Sequence, residues 1–350
     1  MRKIADFVPQ FKQGERNMTS LIKQALAVVA LGALVTPTVA EAQKAKDFPS
    51  KPMEWICTTR PASSVAIWCH VMAKELGAVL GQPIKVIFKS GGSQHEPVLY
   101  VTGNPADGLT VMHTSASFYG YFHLPHYKKS YEDFQHLAQV EKHVYGVAVR
   151  CDNKYGIKTY EDLVKYVHAN PNKLAMGSNK VGSNHHRHQL YFMNDAKLKM
   201  RFVPYQGDGN TVKDVVGGFL PVAMASPKTW RPHITAGTIC PLVMLSEKRL
   251  SNDPQWKNVR SVREVGLNYE VKHHWQGIFV KKGTPEHILD KLADALVQVV
   301  QGDVYQKYLK DGTHIEAALR IDRDWLDADM RKNMPPVKQF LMDNKVIPSK

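Results

Sequence analysis

Apolar and polar positions alternate along the chain in a strand-and-helix rhythm. Residues 53–57 form a short apolar run, residues 63–80 carry Val65, Trp68, Cys69, Met72, Leu76 and Val79 at helical spacing, and residues 84–88 return to a strand. Gly81 stands where the helix needs a left-handed closing residue. The unit repeats with a Gly-containing loop at 89–94, a short helix, the turn at Asp107 and Gly108, and a strand at 109–113 that runs into Thr114, Ser115, Ala116 and Ser117. Strands alternating with helices predict parallel sheets, whose ligands lie beyond the carboxyl ends of the strands.

An apolar strand at 144–149 opens a second series. Thr159 and Asp162 form a capping box for a helix that stops near Ala169, before Asn170 and Pro171. A strand at 174–177, a polar loop at 178–184, a helix at 185–194, a strand at 202–204, a turn at 205–210, a helix at 211–217 and a strand at 222–225 follow. Residues 277–280 read as a return strand. Thr284 is then expected to cap a helix with Pro285 in its first turn and Ile288, Leu292, Leu296 and Val299 on its apolar face. Two chain crossings between two α/β lobes predict a hinge and an interdomain cleft, with residues 48–146 plus 276–350 in one lobe and 147–275 in the other.

The first 42 residues change the picture. Lys23 precedes an apolar run at 25–35 that is too short to span a bilayer at about 20 residues per crossing, and Ala40 and Ala42 follow as a small-x-small cleavage site. This predicts a cleavable signal peptide at 1–42, with Met18 as an alternative start, and a protein exported to the periplasm without a lipid anchor. Of 350 residues 43% are hydrophobic and 22% charged, enough for two cores. The net charge of +14 either steers anionic ligands or serves solubility. The lysines are scattered and no nucleic-acid motif accompanies them, so no nucleic-acid partner is expected.

Cys57, Cys69, Cys151 and Cys240 lack the spacing of a zinc ribbon or a redox motif. In an oxidising compartment three pairings are open, with Cys57–Cys69 the first to test, and buried free thiols are the alternative. His185, His186 and His188 beside His273 and His274 raise a metal-binding alternative, against which adjacent histidines on a helix point in different directions and lack an acidic or cysteine partner at ligand spacing. No catalytic elbow, zincin helix, phosphate loop or dinucleotide fingerprint occurs. No enzyme, metal or cofactor is therefore expected, and a cleft enzyme acting on a carboxylate is the remaining alternative.

Phe48 to Pro52 (FPSKP), Leu80 to Pro83 (LGQP), Ala106 to Gly108 (ADG), Lys173 with Leu174, Val203 to Tyr205 (VPY), Gly217 with Gly218, Pro232 to Gly237 (PHITAG), and Gly283 with Thr284 and Pro285 occur in an order that resembles the tripartite tricarboxylate transporter solute-binding family, also called the Bug family. The resemblance covers nearly all of 48–350. It implies a two-lobed, Venus-flytrap (type II) periplasmic binding protein, monomeric, that captures a small carboxylate and delivers it to the membrane subunits of a tripartite transporter.

Carried over by position, the family's first ligand loop falls at 58–66 and contributes Thr59, Arg60, Ser63 and Ser64. The family's glycine pair is replaced here by Ala62 and Ser63 and its aspartate by Ala66, while a second frequent aspartate falls on Ala225. Losing both argues against a ligand with an amine. The second loop, with Ser178, Asn179, Gly182, Ser183 and His186, matches the family's Ser/Gly/Thr-rich loop and its histidine. Backbone N–H groups opening the next helix suit a carboxylate, and the alternative is that Ser178 and Ser183 only cap that helix. Thr114, Ser115, Tyr205, Gly207 and Ser226, each near a strand's end, are ligand contacts or turn residues. Gln276 lies at a crossing beside Trp275, which reads as core. Arg60 and Lys228 put cations where the family has small or apolar residues, to hold a carboxylate or to face solvent.

Overall fold

The computed structural model describes residues 48–61, 63–312 and 315–349. The expected signal peptide at 1–42, with Met18, lies outside the described residues, as does Ala62 of the first loop.

The first sheet begins with β1 (Met53–Cys57), α1 (Ser64–Leu80) and β2 (Ile84–Phe88). Ser63 Oγ accepts from the Ala66 N–H, and Gly81, at φ 73°, ends the helix in the left-handed conformation that its missing Cβ allows. Trp68, Cys69, Met72 and Leu76 then line one face of α1 and bury it on the sheet. Next come α2 (Gly91–Gly103), whose opening residues Gly92, Ser93 and Gln94 have positive φ, then β3 (Thr110–Ser115), α3 (Phe118–Tyr121) and β4 (Phe134–His143).

The chain passes into the second sheet with β5 (Tyr145–Arg150). α4 (Tyr160–Ala169) carries the expected capping box of Thr159 and Asp162. β6 (Ala175–Asn179), α5 (Asn184–Asp195), β7 (Arg201–Tyr205), α6 (Asp208–Val216), β8 (Val222–Ala225), α7 (Pro227–Thr235) and β9 (Ile239–Leu245) complete this lobe. The chain returns through β10 (His274–Lys281), followed by α8 (Glu286–Gln301), α9 (Asp303–Asp311), β11 (Ile315–Arg320) and α10 (Arg323–Asp343). The cap of α8 differs from expectation. Pro285 occupies the N-cap, and Thr284 Oγ1 donates instead to the Lys281 carbonyl, closing the turn before the helix.

The sheets have orders β11-β4-β10-β3-β1-β2 and β7-β6-β8-β5-β9. β1 pairs in parallel with β2 and β3, and β6 with β7 and β8, so each lobe has a parallel half. Strands β10 and β5 are antiparallel to their neighbours and carry the chain between lobes, with His143 opposite His274 at the crossing. Apolar clusters cover both faces of each sheet, as a sheet with helices on both sides requires. Disulfides join Cys57 to Cys69 and Cys151 to Cys240, so the thiol alternative does not hold.

Candidate functional site

The carboxyl ends of β1, β3, β6 and β8 are followed by loops that meet between the two sheets. Two adjoining cavities there, of about 90 and 40 Å³, share Thr59, Val65, Asn179, His185, Gly207, His274 and Gln276 as walls. Their walls come from both lobes, so a bound molecule would touch both.

In the first lobe the Cys57–Cys69 bond ties the end of β1 to α1, and Thr59 Oγ1 donates to Ser63 Oγ at 3.2 Å. Beneath this loop a polar relay crosses the sheet. Gln276 Nε2 donates to His274 Nε2 at 3.1 Å, leaving Gln276 Oε1 to accept from His113 Nε2. His113 Nδ1 is then an acceptor and takes the Thr58 hydroxyl at 2.6 Å. Burial holds the His113 imidazole neutral, with its pKa lowered to about 4. By the same logic His274 carries its proton on Nδ1, which is buried without a hydrogen-bond partner among the described residues. Ser226 Oγ, on the wall of the larger cavity, is likewise unpaired.

In the second lobe, Ser183 caps α5 by accepting from the His186 N–H at 3.0 Å, and its hydroxyl donates to the Asn179 carbonyl at 2.8 Å. Gly182, at φ 74°, packs against Leu124. These contacts hold the loop rigid and aim Lys180 into the smaller cavity. Lys180 is 6% exposed, donates to the Ser90 carbonyl of the other lobe at 3.4 Å, and has no carboxylate partner among the described residues. Burial, and then the Arg60 charge on the facing loop, lower its pKa to about 8. The site therefore holds a buried cation that no carboxylate among the described residues neutralises.

The structure brings together at the cavities Thr59, Arg60, Ser63, Ser64, Ser115, Asn179, Gly207, Ser226 and Gln276. Other expected residues lie elsewhere. Thr114 and Ser178 are buried at strand ends, with hydroxyls that lack partners among the described residues. Tyr205 donates to Asp214 at 2.7 Å, and Lys228 reaches across to the Tyr308 ring at 5.9 Å instead of lining a cavity. His186 stacks on Phe202 at 3.8 Å and accepts from the Gly182 N–H, its pKa lowered by burial to about 4.

Of the α5 histidines, it is the neighbouring His185 that lines the cavities, 3.2 Å from Asp208 and 3.3 Å from the Tyr145 hydroxyl. His188 points into the core beside Tyr145. The three histidines diverge, and no group of three or more His, Cys, Asp or Glu among the described residues is placed to hold a metal. Asp208 places an acid on the cavity wall, although the family's two aspartates fall on Ala66 and Ala225 here. Burial alone would raise its pKa, but His185 and the Ser226 N–H, at 2.8 Å, outweigh this and keep the carboxyl below its ordinary value. Lys180 and Asp208 were not among the expected ligand residues, and His185 and His274 entered only through the metal-binding alternative. Lys180 lies within the second ligand loop at 178–184, where a cation among serines and asparagines is its only sequence signal.

Two α/β sheets joined by crossing strands, with polar loops from both facing a shared cleft, define a two-lobed binding protein. A family model described as "Tripartite tricarboxylate transporter family receptor" matches residues 69–319, and the chain belongs to that family. It is 26% identical over 289 residues to the "UPF0065 protein in gbd 5'region" of Cupriavidus necator, covering 81% of this chain and 84% of that one. Its fold resembles the periplasmic binding protein BugD, with a TM-score of 0.75 at 18% identity over 85% of this chain and 99% of the other. It is also similar to R. palustris Rpa4515, solved with adipate, with a TM-score of 0.75 at 19% identity over 84% and 97%.

Proposed function

We propose that this chain is a periplasmic receptor that closes on a small carboxylate, with two carboxylates favoured over one, and delivers it to the membrane subunits of a tripartite tricarboxylate transporter. Lys180 carries the reading: a buried ammonium without an anionic partner among the described residues is costly, and a ligand carboxylate removes that cost. Arg60, on the opposite loop, adds a second cation at the same end. At the other end, the Ser226 hydroxyl and the His274 Nδ1–H have no hydrogen-bond partner among the described residues, and Gly207, Asp208 and Gly209 open α6 with backbone N–H groups. A molecule with an oxygen-rich group at each end meets both sets of donors. The adipate in the similar R. palustris structure is of this kind.

Asp208 does not argue for an amine ligand, because its oxygens already accept from His185 and Ser226. The site binds without turning its ligand over, and the protein acts as a monomer. Thermal-shift screening of succinate, adipate, benzoate and glutamate tests the reading, since a specific ligand stabilises the folded state by mass action. A rise with a dicarboxylate is expected. A rise with glutamate alone would sink the proposal.

A further inference from the structure

A larger cavity, of about 530 Å³, lies on the other face of the crossing strands. Successive side chains of a strand point to opposite faces, so His274 and Gln276 face the cleft while His273 and Trp275 line this second cavity. His143 and Lys142 divide in the same way, and a register shift between Gln276 and Gly277 brings Gln139 to the Lys142 side. The walls come from both lobes, through α5 of one and β4, β10, β11 and α10 of the other.

At the bottom of this cavity is Arg187, 2% exposed. Its guanidinium donates to the carbonyls of Gly182 and Ala116 and to Asn184 Oδ1, but it has no ion-pair partner among the described residues. A guanidinium has five N–H donors and cannot shed its charge, so three neutral acceptors leave both charge and donors unmet. Asn184, also 2% exposed and on the same wall, has an amide nitrogen without a hydrogen-bond partner among the described residues.

Towards the mouth, Arg320 stacks on Trp325 at 3.9 Å and Lys332 lies close by, whereas the two acids among the described residues of the wall are already engaged. Asp329 accepts from Tyr119 and from Asn333, and Glu270 pairs with Lys272. Tyr119 and Trp275, edge to face, supply an aromatic floor.

We propose that this cavity is a second ligand site, spatially separate from the cleft, for an organic carboxylate with an aromatic body: the carboxylate meets Arg187 and Asn184, and the ring packs between Tyr119, Trp275 and Trp325. Because the occupant touches both lobes beside the hinge, its binding is coupled to cleft binding, and the coupling is reciprocal.

The test titrates 4-hydroxybenzoate, with inorganic phosphate as a second arm, into the full mature protein and follows tryptophan fluorescence and calorimetric stoichiometry. Arg187 touches both lobes and its loss endangers folding, so the working variant is Arg320→Gln with Lys332→Gln at the mouth, and Lys180→Met serves as the cleft control. The expected result is 4-hydroxybenzoate binding that persists in Lys180→Met and weakens about tenfold in the mouth variant, which loses the Arg320 stack that braces Trp325 and two cations that attract an anion to the entrance. Binding abolished by Lys180→Met but untouched in the mouth variant, or no binding at millimolar concentration, overturns the proposal. Equal mouth-dependent binding of phosphate would overturn the aromatic part of the assignment.

Discussion

Replacing Lys180 with methionine separates stability from function at one side chain. The interval between its ordinary pKa of 10.5 and the buried value of about 8 corresponds to about 3 kcal/mol against the charged form at neutral pH. Methionine keeps an unbranched chain of similar length, so packing is largely preserved. The lost hydrogen bond to the Ser90 carbonyl offsets about 1 kcal/mol of the gain. The ligand-free variant should therefore be more stable than wild type by about 2 kcal/mol in urea unfolding at pH 7, while carboxylate affinity falls about a hundredfold, the worth of a desolvated charge-assisted contact. The sign of the pH dependence follows from the depressed pKa. Between pH 8 and 10.5 the unfolded chain holds the proton and the folded chain does not, so ligand-free wild type gains stability as pH rises through that window and Lys180→Met does not. A variant that is less stable than wild type and binds carboxylate normally would refute the reasoning.

The two adjacent histidines should behave oppositely. His185→Ala, at the cavity, should weaken ligand binding about tenfold, because Asp208 at the opening of α6 loses the partner that occupies its carboxylate, whereas His186→Ala should lower stability by about 1–3 kcal/mol through its lost stack on Phe202 and leave affinity unchanged; calorimetry and urea unfolding read both. The Cys151–Cys240 bond closes a separation of 89 residues against 12 for Cys57–Cys69, so removing the first should cost about 5 kcal/mol and the second about 3, measured by urea unfolding of the double-serine variants. A methyl group at Gly277 would collide with the Ala138 carbonyl oxygen, so Gly277→Ala should cost about 3 kcal/mol or more and lower the melting temperature, while Gly209→Ala, with open space around it, should be tolerated.

The β1-α1-β2 unit was legible because its apolar residues repeat at strand and helix spacing and its glycine and serine stand at the two ends of the helix. β4 was not legible. It is central and buried on both faces, yet it carries His136, Gln139, Glu141 and His143, so it lacks the apolar run that marks such strands. β9 hides behind Pro241, which an edge strand tolerates, and α10 behind the pair Pro335 and Pro336. In the site, the serine and threonine loops could be located from strand ends. Which cation or histidine turns inward could not, because His185 and His186 differ only in direction around a helix, and Asp208 and His274 come from segments distant in sequence.

The central claim is that a ligand carboxylate neutralises Lys180. Calorimetric titration of the dicarboxylate selected by thermal shift, at pH 8 in two buffers of different ionisation heat, measures the protons taken up on binding. With the free ammonium half-titrated there, wild type should take up about half a proton per ligand and Lys180→Met essentially none. Tight binding without proton uptake by wild type, or the same uptake by both proteins, would contradict the account.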